Sequence, residues 1–354
     1  MKEPNIRINC TAHLVNNIVH EILDTTKPSN SMIVKNLSYC RKLVKHIKRT
    51  NLNSNLEKSL KADTMTRWNS VYDMIESILA AWEDIEAVLP LTNLVLLKCI
   101  DKPALIELKE FLEPFKKVTM ELQYRNKCTI HLVLLCRKKI LRHLTISPED
   151  SARIKEMKNV GRTYLEATWI SNDVHKKTIF FHPEMKQLKV LEEDERADIL
   201  QMLRDELNAD ETRKSGTDDV NASRSTKRPA DSSVDNFPTK KQKTMSLVDE
   251  FRDDNADRPM EEIDAYIQST QASQIGNGDL CEWWEQNKNR FPNMYKLSLK
   301  YLCVPATSAL AESKFSISGY LITEKRTNLR ADNVNNLMFL KSFYDAHCDE
   351  NREQ

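Results

Sequence analysis

The chain has 354 residues, with 53 Lys and Arg set against 52 Asp and Glu and a formal net charge of +1. That near-balance excludes a whole-chain field drawing it onto nucleic acid or an anionic membrane, so any such binding must come from local patches. Only 5 glycines argue against glycine-rich phosphate loops and tight hairpins, while the length suffices for two or three domains.

In chain order, Ile6 and Ile8 alternate with Arg7 over residues 5–9, a short strand candidate. Cys10-Thr11-Ala12-His13 then starts a helix, with Cys10 and His13 one turn apart on one face. A C-x-x-H pair supplies half a zinc site, but no second pair stands nearby at finger spacing, so a packed helix start without metal is expected. Over residues 31–50, Met32, Ile33, Leu37, Cys40, Leu43, Val44 and Ile47 keep a helical period. Lys35, Arg41, Lys42, Lys45, Lys48 and Arg49 make the remaining surface basic, either a phosphate-tracking face or a solvated one.

Trp68, Val71, Tyr72, Ile75, Ile78, Leu79, Trp82, Ile85 and Leu89 form the stripe of one long amphipathic helix, entered through Arg67. Arg67 and Trp68 together can hold a phosphate and stack on an unpaired base. Alternatively, Trp68 simply opens the core stripe. Further helices are expected over residues 103–125, 129–144 and 151–166, and a loop-to-helix entry over 180–188.

Residues 208–246 carry too few large apolar side chains to offset the entropy of ordering, which predicts a disordered loop. Within it Lys227 and Arg228 precede Lys240, Lys241 and Lys243 across a spacer, a pattern that resembles a bipartite nuclear localisation signal read by an import receptor. Beyond it, adjacent Trp283 and Trp284 on a helix cannot both face one core, so one must turn to another layer or another chain, as an interface anchor does. Residues 308–318 read as a short helix whose one acid is Glu312. A second helix follows, in which Val334, Leu337, Met338, Leu340, Lys341 and Tyr344 recur at three- and four-residue steps, giving a wide apolar face that also includes Phe339. The scattered cysteines lack any C-x-x-C pair and imply reduced intracellular thiols, and the longest apolar run, residues 88–100, is too short and too interrupted to span a membrane.

Taken together, these residues resemble the hAT superfamily of DNA transposases, in its hobo-like branch. The resemblance is carried by Trp283-Trp284, Phe291-Pro292, the run Leu302-Cys303-Val304-Pro305-Ala306-Thr307-Ser308-Ala309, Glu312, Phe315-Ser316, Gly319 and Thr323-Glu324-Lys325-Arg326. Upstream, Cys10-Thr11-Ala12-His13 with Leu14 and Asn16, Arg67-Trp68-Asn69-Ser70 and Phe181-His182-Pro183-Glu184-Met185-Lys186 are similar to further family segments in the same order.

The resemblance implies a ribonuclease-H-like catalytic domain interrupted by a large helical insertion, with two aspartates and one glutamate holding two divalent metals for strand transfer. Glu312 corresponds to the family glutamate, and Arg67 and Trp68 to insertion residues that stabilise a flipped base. Both family aspartates precede the C-x-x-H segment, yet only nine residues precede Cys10 and the first aspartate is Asp24. The family's Ser-Glu-Arg is here Ala311-Glu312-Ser313, and a BED-type zinc finger has no counterpart.

The resulting expectation is a mainly α chain: an incomplete ribonuclease-H-like α/β domain interrupted by an all-helical insertion, from an N-terminally truncated or domesticated transposase. Its parts are a ribonuclease-H-like remnant (1–60), a helical insertion (61–207 and 247–279), a loop (208–246) and a dimerisation region with the last catalytic-domain helix (280–345). The expected protein is nuclear and not an enzyme. It acts by dimerising through Trp283, Trp284, Leu337, Met338, Phe339 and Leu340, with DNA contacts from Lys42, Lys45, Arg49, Arg67 and Trp68 and no membrane partner. No cofactor is expected, magnesium entering only if a longer isoform supplies the aspartates. An active transposase fragment completed in that way and a DNA-binding transcriptional regulator are the alternatives.

Overall fold

A computed structural model describes residues 8–24, 31–64, 68–124, 127–215, 261–269, 279–309, 311–312, 315 and 330–350. Helices account for its regular structure, and no strand occurs among the described residues. The strand expected over residues 5–9 lies outside them except for residues 8 and 9, and a ribonuclease-H-like sheet forms no part of what is described.

The chain divides into two compact units, Met1–Thr178 with Tyr301–Gln354, and Ile179–Lys300. The first contains α1 (Thr11–Ile22), α2 (Ser31–Arg49), α3 (Trp68–Ala80), α4 (Trp82–Val88), α5 (Leu94–Lys98), α6 (Lys102–Leu122), α7 (Leu132–His143) and α8 (Ala152–Thr168), and the chain continues through α9 (Asp173–Phe180). Helix α1 packs along α8 and also against α6, and α6 packs on α3 and α7. The division expected at residue 60 therefore falls inside this unit, because the first 60 residues and those after them share one core. The close approach of α1 and α8 depends on Gly161: a β-carbon there would lie 2.7 Å from Ile22 Cδ1 and 3.1 Å from Leu144 Cδ2.

Capping sets several boundaries. Asp101 accepts from the Ala104 N–H at 3.1 Å with Pro103 in the first turn of α6, and Ser151 accepts from the Ile154 N–H at 3.2 Å to start α8. The long helix expected from Trp68 is interrupted at Ala81, whose backbone separates α3 from α4. His143 ends α7 against Phe111 and Phe115, and its Nε2–H donates to the Phe111 carbonyl at 2.8 Å. Burial pushes its imidazole below the ordinary histidine range, so the neutral ring is the one that packs.

The second unit is organised around aromatic rings. Tyr266 of α11 (Glu262–Gln268) meets Phe180, Trp284 and Phe291 at centroid distances of 5.2, 5.3 and 5.6 Å. Lys186 sits beneath that ring, 5.4 Å from its centroid, and donates to the carbonyls of Tyr266 and Ser269, satisfying the C-terminal end of α11 with a cation. Helix α10 (Glu193–Ser215) continues past residue 208, where the loop was expected to begin.

Candidate functional site

Two features of the described structure have functional chemistry: a side-chain cluster that closes over the start of α1, and an unburied apolar helix near the C-terminus. The cluster forms because the segment after α13 (Pro292–Leu302) runs back across the N-terminus of α1. The Thr11 N–H donates to the Ala306 carbonyl at 3.0 Å, and the Ala306 N–H donates to Thr129 Oγ1 at 3.2 Å. This lacing brings Glu312 to His13, with Oε1 3.6 Å from Nε2.

Ser308 links the components. Its backbone N–H donates to Cys10 Sγ at 3.2 Å, and its hydroxyl donates to Glu312 Oε1 at 2.6 Å. Burial pushes the Cys10 thiol up, but hydrogen bonds from Ser308 and His13 outweigh it and hold the thiol below its ordinary range. By contrast, burial drives the Cys40 and Cys136 thiols up to about 12. Spacing alone made Cys10 and His13 half a site, and the chain path adds a carboxylate from the other end of the sequence. Sequence reasoning did not give Ser308 this role; it placed Ser308 only at the start of the short helix expected over residues 308–318.

The cluster is a poor match to a pair of magnesium ions. Each of those needs several hard oxygen donors, whereas Glu312 stands with a thiol and an imidazole, and no aspartate shares its cluster among the described residues.

The nucleic-acid candidates separate. Arg67 and the basic residues Lys227, Arg228, Lys240, Lys241 and Lys243 lie outside the described residues. Trp68 is 2% exposed, edge-on to Phe115 at 6.4 Å, and its backbone N–H donates to Asn16 Oδ1 at 3.3 Å. It is thus a core residue, and stacking on a base would require extracting it from that packing. Lys42, Lys45, Lys48 and Arg49 are all exposed along α2 while Leu43, Val44 and Ile47 point into the core. Arg41, in the same stretch, is engaged by Asp63 at 2.7 Å.

The tandem tryptophans split as their adjacency requires. Trp284, on α12 (Leu280–Asn287), is 0% exposed and its indole N–H donates to the Phe181 carbonyl at 2.8 Å. Its proposed place in a dimer interface is corrected: burial and hydrogen bonding commit it to the core of its own chain. Trp283 stays half-buried beside it, at 5.0 Å and edge-on.

Helix α14 (Ala331–Glu350) has no buried side chain over residues 331–344. Phe339 is 68% and Leu340 47% exposed, with Leu337, Phe343 and Tyr344 also open, and Phe339 stacks on Phe343 at 6.4 Å. Neighbouring positions differ by about 100° around a helix, so Phe339 and Leu340 face different directions and the apolar surface wraps α14 beyond one stripe. No helix among the described residues is long and apolar enough to cross a membrane.

Residues 262–344 match the hAT family C-terminal dimerisation region, and residues 8–95 match the ZBED1 RNase-like helical domain. Among individual proteins, the Transposable element Hobo transposase of Drosophila melanogaster is 28% identical over 87% of this chain and 52% of its own length. Human Zinc finger protein 618 is 23% identical over 95% of the chain and 33% of its own length. Zinc finger BED domain-containing protein DAYSLEEPER of Arabidopsis thaliana is 29% identical over 22% of the chain and 11% of its own length. The chain thus spans about half the length of the first of these relatives and less of the others.

Proposed function

Because the chain is hAT-family transposase-like and carries that family's C-terminal dimerisation region, we propose that it acts by pairing with a second copy of itself and performs no strand transfer alone. The observation that carries this reading is α14. Leu337, Phe339, Leu340, Phe343 and Tyr344 leave a broad apolar surface on α14 beside its polar residues, a surface of the kind that interfaces cover, and within this chain no side chain of residues 331–344 is buried. A second copy supplies the missing cover. A specific pairing would bury on the order of 1,600 Å² in total. Sedimentation of the full chain at micromolar concentration should give a dimer, and a monomer throughout that range would reject the proposal.

Absence of catalysis is supported by the surroundings of Glu312, whose neighbours among the described residues are a thiol, an imidazole and a serine hydroxyl. Incubated with a transposon-end duplex and magnesium or manganese, the purified chain should give no cleavage above background. Cleavage that disappears in Glu312→Gln would overturn this part of the proposal.

The exposed basic row of α2 favours residual duplex binding, in the nuclear setting that the two basic clusters imply. If Lys42, Lys45, Lys48 and Arg49 each neutralise a phosphate, log affinity should fall against log salt with a slope of about −3 to −4. A flat dependence would remove DNA from the list of partners.

A further inference from the structure

We infer that Cys10, His13 and Glu312 form a three-donor site for a single zinc-class divalent cation, with the fourth position left to water. This proposal is independent of self-association, since it depends only on how the two ends of the sequence meet within the first unit.

The donor types point to the metal. Thiolate and imidazole favour zinc and its neighbours over magnesium or calcium, and one carboxylate completes a set common in zinc sites that keep a position open. The geometry is close to what such an ion needs. Metal–ligand bonds of about 2.1 Å in a tetrahedron put ligand atoms about 3.4 Å apart, and His13 Nε2 lies 3.6 Å from Glu312 Oε1. All three donor atoms lie within 4.8 Å of one another, so closing them to about 3.4 Å requires a shift of no more than about 1.4 Å.

The surrounding groups hold these donors in place. Cys10 is the N-cap residue of α1 and His13 lies in its first turn, which fixes their relation through the helix itself. Ser308 donates to both Cys10 and Glu312, a supporting contact of the kind that orients metal ligands. Side-chain exposures of 58% for His13 and 39% for Glu312 leave an entry path for the ion and room for water. On binding, the Cys10 thiol loses its proton to solvent as the sulfur–metal bond forms, and no electron transfer is involved.

The site would clip the start of α1 to the segment around residue 312, so the ion should stabilise the fold that holds those ends together. The test uses the full chain, stripped of metal by a chelator and titrated with cobalt(II) alone. A thiolate-to-cobalt charge-transfer band should saturate at one equivalent and be displaced by zinc, while excess magnesium leaves it unchanged. Cys10→Ser should abolish the band, whereas Cys99→Ser, at an exposed position, should leave it intact. His13→Ala and Glu312→Gln should weaken zinc binding by about 100-fold or more, beyond the 10- to 100-fold typical of losing a supporting contact. Zinc should raise the melting temperature of the unaltered chain and not that of Glu312→Gln, whose partly exposed side chain makes it a folding-safe variant. A band that survives Cys10→Ser, or equal zinc affinity in Glu312→Gln, would overturn the assignment.

Discussion

Replacing Phe339 and Phe343 together by glutamate is expected to convert the dimer into a monomer while leaving the fold of each chain intact. Both rings are largely open in the single chain, at 68% and 48%, so neither substitution removes packing from the core. In a paired state they become central apolar anchors, each contributing about 2 kcal/mol, roughly 30-fold in affinity. Because the rings stack on each other their contributions are not independent. The double substitution should still weaken association by at least about 100-fold, with further loss from burying like charges across the interface. Sedimentation equilibrium gives the dissociation constant and thermal unfolding gives the control. An unchanged dimer would move the interface away from α14, and a collapsed melting temperature would make the two rings part of the fold.

The second large effect should come from Trp284→Ala. Removing a fully buried indole costs about 3–5 kcal/mol through lost transfer energy and the cavity left behind. Here it also removes the hydrogen bond that the indole N–H makes to the Phe181 carbonyl. Against a typical total stability of about 5–15 kcal/mol, that loss should bring the second unit close to unfolding at room temperature. Trp283→Ala, at a half-buried position, should cost only about 1 kcal/mol. Chemical denaturation monitored by far-ultraviolet circular dichroism separates the two variants. Equal losses would contradict the division of labour between the neighbouring tryptophans.

That division illustrates how far periodicity reaches. Adjacent tryptophans on a helix announce that one will be buried and the other will not, but their order depends on which carbonyl and which rings stand opposite. Tyr266, Phe181 and Phe291 decide it, and they come from separate stretches of the sequence. At Trp68 the apolar stripe and a base-stacking platform are the same residue pattern, and Phe115 on α6 resolves it in favour of the core. For α14, spacing indicated a helix with a wide apolar face, whereas its exposure over residues 331–344 reflects that no element among the described residues covers it.

Local signals indicated most of the longer helices of the first unit, the basic surface of α2 and the resemblance to the hAT C-terminal region. These are short-range properties: helical period, cap chemistry and charge act within a few residues, so they can be read along the chain. Only the folded chain could decide that Cys10 and His13 acquire Glu312 and Ser308 as neighbours, that the first 60 residues belong to the same core as α6 and α8, and that Trp284 faces inward. Each of those outcomes depends on segments far apart in sequence. No local pattern encodes such a meeting, because it is set by how the helices pack and where the connecting chain must return.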